Sequence, residues 1–181
     1  AKAATSTAET DAKLRKEHPL ASVLQLAQGP SGSVVGYAVW RDTAAVNACL
    51  TSPEAKEVLP SDMKLVWAVK PVGKGSAGDI YELHALKVTS RNGRAPLEGD
   101  VITDAKDDFD QFGRPCVSMT MNTDGARRWA VLTKKNAGRF IAIVLDGYVY
   151  SAPHVEGEIS GGVSSITGSF TIEDTRDLAN V

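Results

Sequence analysis

The chain has 181 residues, 43% of them hydrophobic and 23% charged, with a formal net charge of -2. That length supports one large or two small globular domains with a real apolar core, and the near-neutral charge removes any global electrostatic case for nucleic acid or an anionic membrane surface. Its two cysteines, Cys49 and Cys116, are too few for a disulfide framework or a metal knuckle, and a single pairing in an oxidising compartment stays open.

No apolar run reaches the ~18–20 residues needed to span a bilayer. The opening AKAATSTAET is small and polar and reads as a fraying segment. With no initiating methionine and with LANV ending in mid-pattern, the chain reads as a soluble piece of something longer. TDAKLRKEH (residues 10–18) predicts a short helix stopped by Pro19. After a loop at residues 28–33, VVGYAVW (34–40) reads as a strand, and Asp42 is placed to cap a helix running to Leu50. Ser52 and Pro53 form an N-cap and first-turn proline for a second short helix over 54–59.

MKLVWAVK (63–70) and DIYELHALKV (79–88) alternate as strands, with Leu65, Trp67 and Val69 sharing one face of the first. TSRNGRAPLEG (89–99) is rich in turn formers and marks the best internal boundary. It leaves an N-terminal α+β portion over 1–96 and a second part over 97–181. VSMTM (117–121) is a strand with Val117, Met119 and Met121 on one side. The strongest helix covers 123–136, with Thr123 as its cap, Asp124 at the positive end and Lys134 and Lys135 at the negative end. Ala126, Trp129, Ala130 and Thr133 line one of its faces, and Gly138 ends it. IAIVL (141–145) has a central-strand pattern, apolar on both faces, and YVYSAP is a second strand. The Asp146-Gly147 pair between them signals a type I′ hairpin with Asp146 at an exposed tip. Thr171 to Asp174 forms a capping box, with Asp in the usual Glu position, opening a last helix. Strands joined by hairpins and interspersed with helices define an α+β class: a mixed, largely antiparallel sheet with helices packed on it.

Motifs for chemistry fail in context. GKGSAG (73–78) matches G-x-G-x-x-G, but the residues after it alternate as a strand, so it reads as a flexible loop rather than a dinucleotide turn. In DAKDDFDQFG (104–113), Asp108, Asp110 and Gly113 fit a calcium loop, yet Phe112 and Met119 occupy ligand positions, so a solvated acidic turn is expected. GPSGS has Ser33 where a nucleophile elbow needs its last glycine. Cys116 pairs with His84 or His154 only if the fold is assumed. The basic residues Arg127, Arg128, Lys134, Lys135 and Arg139 form either a solvated face or a contact surface for acidic segments. No catalytic, cofactor or metal residues are assigned, and an enzyme is not expected.

LEGDVITDA, FDQFGRP, TDGARRWAVLTKKNAGR, IAIVLDGYVYSAP, EISGGVSSITGSFT and DLA follow one another with short spacers. Together they resemble the head subdomain of the first large periplasmic domain of the protein-translocase subunit SecD, or its fused form SecDF. The likeness covers residues 97–181; residues 1–96 match the family loosely, as head or supporting base. Asp174-Thr175 stands where the family commonly has Glu-Ala, and the Gly-Ala-Leu-Pro segment that the resemblance leads one to expect soon after is not in the sequence, which ends at Val181.

The resemblance implies a non-enzymatic, extracytoplasmic domain of an inner-membrane protein working beside the SecYEG channel and SecF, with no cofactor. It implies engagement of exported, unfolded preprotein chains and a swinging motion that supports translocation driven by the proton gradient. Proton-carrying acids would lie in membrane helices outside this chain, so none here is given that role. Chain binding calls for an exposed strand edge or an adaptable apolar groove. EISGGVSSITGS is a candidate for the edge, and Met119 and Met121 for the groove, although their face favours core. A spacer without substrate contact and a small hydrolase are the competing readings.

Overall fold

A computed structural model describes residues 18–29 and 32–180. The expected helix over 10–18 and the fraying first ten residues fall outside that range, save for His18. Two compact units divide the chain: one up to Lys87 together with Asp146–Tyr148, the other Val88–Leu145 with Val149 onward.

The first unit holds antiparallel strands that are not all paired in chain order. Strands β1 (Gln25–Leu26), β2 (Val34–Val39), β3 (Met63–Gly75) and β4 (Gly78–Lys87) are hydrogen-bonded in the order β1-β2-β4-β3. Helices α1 (Thr43–Leu50) and α2 (Pro53–Val58) lie between β2 and β3 in the chain. Leu24, Ala38, Val46, Trp67 and Leu83 form its core. The indole N–H of Trp67 donates to Asn47 Oδ1 at 2.9 Å, locking α1 to β3 while the ring stays in apolar contact. Ser52 caps α2 as expected, its hydroxyl accepting the Ala55 amide at 3.2 Å.

Two expectations here need correction. Asp42 adopts a helical conformation with no side-chain cap bond; a 3-10 turn over Trp40–Asp42 leads into α1 instead. The GKGSAG stretch is mostly strand, since β3 runs on to Gly75 and pairs across a two-residue turn with Gly78, whose φ of 131° suits glycine. β3 also buries Val66 and Ala68, opposite to the Leu65–Trp67 face, so it is covered on both sides.

The second unit holds a three-stranded antiparallel sheet, β5 (Ile102–Phe109), β6 (Pro115–Met121) and β9 (Val163–Thr167), in the order β5-β6-β9. Helix α3 (Thr123–Lys135) follows β6, and α4 (Ile172–Asn180) packs on β5 and β6. Val117, Ile166 and Leu178 centre this core, joined by Met119, Ile143, Tyr150 and Phe170. The acidic stretch is strand β5, not a turn: its Asp104, Lys106 and Asp108 face solvent on one side of an edge strand, which hides the apolar alternation. The turn itself is confined to Asp110–Arg114. Asn122 caps α3 in place of Thr123, accepting the Gly125 amide at 2.8 Å. The α4 capping box is present: Asp174 accepts the Thr171 amide, and Thr171 accepts that of Asp174.

β7 (Ile143–Leu145) and β8 (Tyr148–Ser151) form the expected hairpin, with φ of 49° at Asp146 and 83° at Gly147. β7 is not a central strand. It is three residues long, pairs only with β8, and leaves Val144 part-exposed.

Candidate functional site

In the first unit the chain assembles a polar string that no sequence spacing announced. β4 carries Glu82 and His84 on one face, and β2 begins just after Ser33. Ser33 Oγ lies 2.8 Å from His84 Nδ1, and His84 Nε2 lies 3.7 Å from Glu82 Oε2. His84 is buried, and burial lowers its pKa; burial raises that of half-buried Glu82. The 3.7 Å contact is within ion-pair reach, yet desolvation drives both groups toward their neutral forms. A neutral imidazole held by the Ser33 hydroxyl therefore describes the site better than an ion pair. The order serine–histidine–carboxylate resembles a nucleophilic triad only in composition, because the histidine is sealed in the strand interior.

The residues weighed for catalysis are not brought together. Cys116 is buried on β6 and Cys49 is half-buried on α1, both as free thiols. His154 pairs with Phe140 in an isolated bridge, its ring edge-on to the phenyl at 5.3 Å. Met119 and Met121 belong to the interior, Met119 in the β6–β9–α4 core and Met121 only 6% exposed, so neither forms an open groove. Around the calcium pattern weighed at Asp108, Asp110 and Gly113, the described residues hold no cluster of metal-ligating side chains. Asp110 instead organises a turn. Oδ1 accepts the amides of Phe112 and Arg114, Oδ2 accepts from the Arg114 guanidinium, and that guanidinium lies over the Phe112 ring. The Arg114 amide, first among these donors, holds the Asp110 pKa below the ordinary carboxylate value.

The basic helix is partly neutralised. Arg128 reaches Asp124 and the Pro96 carbonyl, and Lys134 reaches Glu158 at 3.0 Å, leaving a largely solvated face. Thr133 is fully buried and ties α3 to the following loop, its hydroxyl donating to the Trp129 carbonyl and accepting the Ile159 amide.

The most open chemistry lies on β9. The Met121 amide donates to the Gly162 carbonyl at 2.7 Å, which fixes the phase of the β6–β9 ladder. In an antiparallel pair, directly opposed residues alternate between exchanging both hydrogen bonds and turning both groups away. Met119↔Ser164 and Val117↔Ile166 therefore bond across the ladder, while Val163, Ser165 and Thr167 point their backbone groups away from β6. β9 ends its sheet, so these groups face an open edge. One is engaged: the Thr167 carbonyl accepts the Ser151 hydroxyl at 3.1 Å. The side chains alternate cleanly, Ser164 and Ile166 inward, Val163, Ser165 and Thr167 outward. At the C-terminal end of β9 a cleft of about 350 Å³ opens between Thr167–Ser169, the Asp110–Pro115 turn and His154.

Fold and surface together define a two-unit α+β domain with an open strand edge. The chain belongs to the SecDF P1 head subdomain family, whose model matches residues 82–181. It is 41% identical over 191 aligned residues to the protein translocase subunit SecD of Rhodothermus marinus, covering 99% of this chain and 30% of that protein. It is 44% identical over 85 residues to SecDF of Thermus thermophilus, covering 47% of this chain and 12% of that protein. A solved structure of SecDF, described as a membrane component that enhances protein export, aligns with a TM-score of 0.44 at 30% identity. That alignment covers 87% of this chain and 58% of the other. The chain thus spans under a third of the length of these curated relatives. Among the described residues no helix is long and apolar enough to cross a membrane. The departure noted at Asp174-Thr175 has a local reason: Asp174 closes the capping box, and buried Thr175 satisfies its hydroxyl on the Ile172 carbonyl.

Proposed function

We propose that this chain is the extracytoplasmic, non-enzymatic head-bearing domain of a Sec translocase accessory subunit, with residues 97–181 as the head. It engages unfolded polypeptide during export and moves so as to oppose backsliding, its motion coupled to the proton gradient by membrane helices elsewhere in the parent protein. Its partners are the exported preprotein and, through the parent, the SecYEG channel and SecF. The single observation that carries this reading is the family match over residues 82–181, continued by 41% identity across nearly the whole chain.

The test is site-specific photo-crosslinking in the full parent protein during export of a secretory precursor. Probes at exposed positions of the second unit, such as Phe112, Arg127 and Val163, should yield adducts with the translocating chain. Adducts at none of a dense set of positions, with export proceeding normally, would leave a spacer role in its place.

A further inference from the structure

We propose that the free edge of β9 is a strand-addition site, which takes one extended, uncharged segment of a partner polypeptide as a fourth strand beside Val163–Thr167. The proposal rests on the chain-engagement reading above and names where and how the contact is made.

Three observations carry it. The backbone phase set by Met121 and Gly162 leaves the N–H and C=O of both Val163 and Ser165 pointing outward, with no partner among the described residues. A row of unpaired backbone groups is a template for another chain, and proteins ordinarily blunt such rows with lysine, proline, bulges or inward charges. The sheet has two edges, and they are treated oppositely. β5 carries Asp104, Lys106, Asp107 and Asp108 within eight residues, with Lys106 paired to Asp104 and Asp107 near Arg176 of α4. β9, reading VSSIT, has no charge, no proline and no register shift. One edge is guarded and its partner edge is left open.

The occupant follows from the chemistry offered. Main-chain groups recognise any extended polypeptide irrespective of its sequence, which suits a site that meets many unrelated chains. The outward side chains of Val163, Ser165 and Thr167 are small and uncharged, so they favour β-branched or small residues opposite and give nothing to a charged segment. Val163 and Ser165 offer only four backbone groups, a short contact that can form and release quickly. The hydroxyl of Ser151 on the Thr167 carbonyl already shows one outward group taking up a partner.

The probe is a synthetic peptide of alternating valine and serine, compared with the same peptide N-methylated at alternate residues. Binding to this chain is followed by amide hydrogen exchange. The unmodified peptide should slow exchange at Val163 and Ser165, and the N-methylated one should bind at least tenfold more weakly. Ser165→Pro deletes an outward N–H that the β6 ladder does not use, and should weaken peptide binding to the same degree. Should Ser165→Pro fold poorly, the paired variant Val163→Lys with Ser165→Lys guards the edge while keeping every amide. Equal binding of both peptides, or peptide protection mapped elsewhere with β9 unchanged, overturns strand addition and leaves chain engagement standing. A dimer of this chain that Ser165→Pro abolishes would assign the edge to a second copy and also overturn it. Loss of export crosslinks across the whole head would instead remove the reading beneath.

Discussion

Gly125, in the first turn of α3, sits against Val101. A Cβ at position 125 would lie 2.7 Å from the Val101 Cβ and 2.8 Å from its Cγ2, closer than real side chains approach. This contact lets the first turn of α3 lie against the 3-10 turn over Gly99–Val101 that leads into β5, and the Val101 carbonyl accepts the amide of the capping residue Asn122. The helix tolerates a glycine because the approach requires it.

Gly125→Ala should therefore destabilise the chain by about 1–3 kcal/mol, despite alanine's better helix propensity. Adding Val101→Ala should recover part of the loss, since the clash partner is then truncated. Chemical denaturation of the single and double variants measures this. An alanine that stabilises on its own would show that the approach is loose.

His84 and Glu82 pull the pH dependence of stability in opposite directions. Burial lowers the folded pKa of His84 from its ordinary 6.5, so the unfolded chain takes up the proton first and stability falls as pH drops below that value. Burial raises the folded pKa of Glu82 from 4.5, so the folded chain keeps its proton longer and this group's contribution grows as pH falls toward 4.5. The His84 effect sets in below 6.5 and the Glu82 effect is complete near 4.5, with opposite signs. Glu82→Gln removes the compensating slope, so its melting temperature should fall more steeply than the parent's as pH is lowered through that range. Parallel profiles would mean that Glu82 stays ionised in the fold.

Asp110 should matter to one turn and little else. Asp110→Ala removes the acceptor of the Phe112 and Arg114 amides and frees the Arg114 guanidinium. Amide exchange at these two residues should quicken, while Ser118, in mid-β6, keeps its protection. Loss of protection along all of β6 would make the turn a determinant of the whole sheet.

Much of this architecture is legible where residue chemistry and local geometry coincide. Ser52-Pro53, the Thr171–Asp174 box and Asp146-Gly147 each specify a conformation within three or four residues, and each is found as expected. β5 was hidden because a guarded edge strand replaces apolar alternation with charge. Asn122 displaced Thr123 as the cap because both residues are good caps, and the choice depends on where β6 releases the chain. The Ser33–His84 contact joins residues 51 apart and leaves no spacing signal. The open edge at EISGGVSSITGS was visible as a possibility, but which backbone groups it presents depends on the ladder phase, and only the Met121–Gly162 bond fixes that.

The hairpin tip gives the sharpest separation of backbone from side-chain effects. Asp146 has φ of 49° and Gly147 φ of 83°, the two left-handed residues a type I′ turn needs, and both are exposed. A carboxylate in this position serves the turn, and asparagine enters the same conformation at least as readily. Asp146→Asn should thus change stability by no more than about 0.5 kcal/mol and leave export in the parent protein unaltered. Gly147→Val places a β-branched side chain at positive φ and should cost about 1–3 kcal/mol through strain alone, since no neighbouring atom lies within 4 Å of a Cβ there. Thermal melts of the isolated chain and an export assay of the parent separate the two outcomes. A severe export defect in a stably folded Asp146→Asn protein would give the carboxylate a role that the turn does not need.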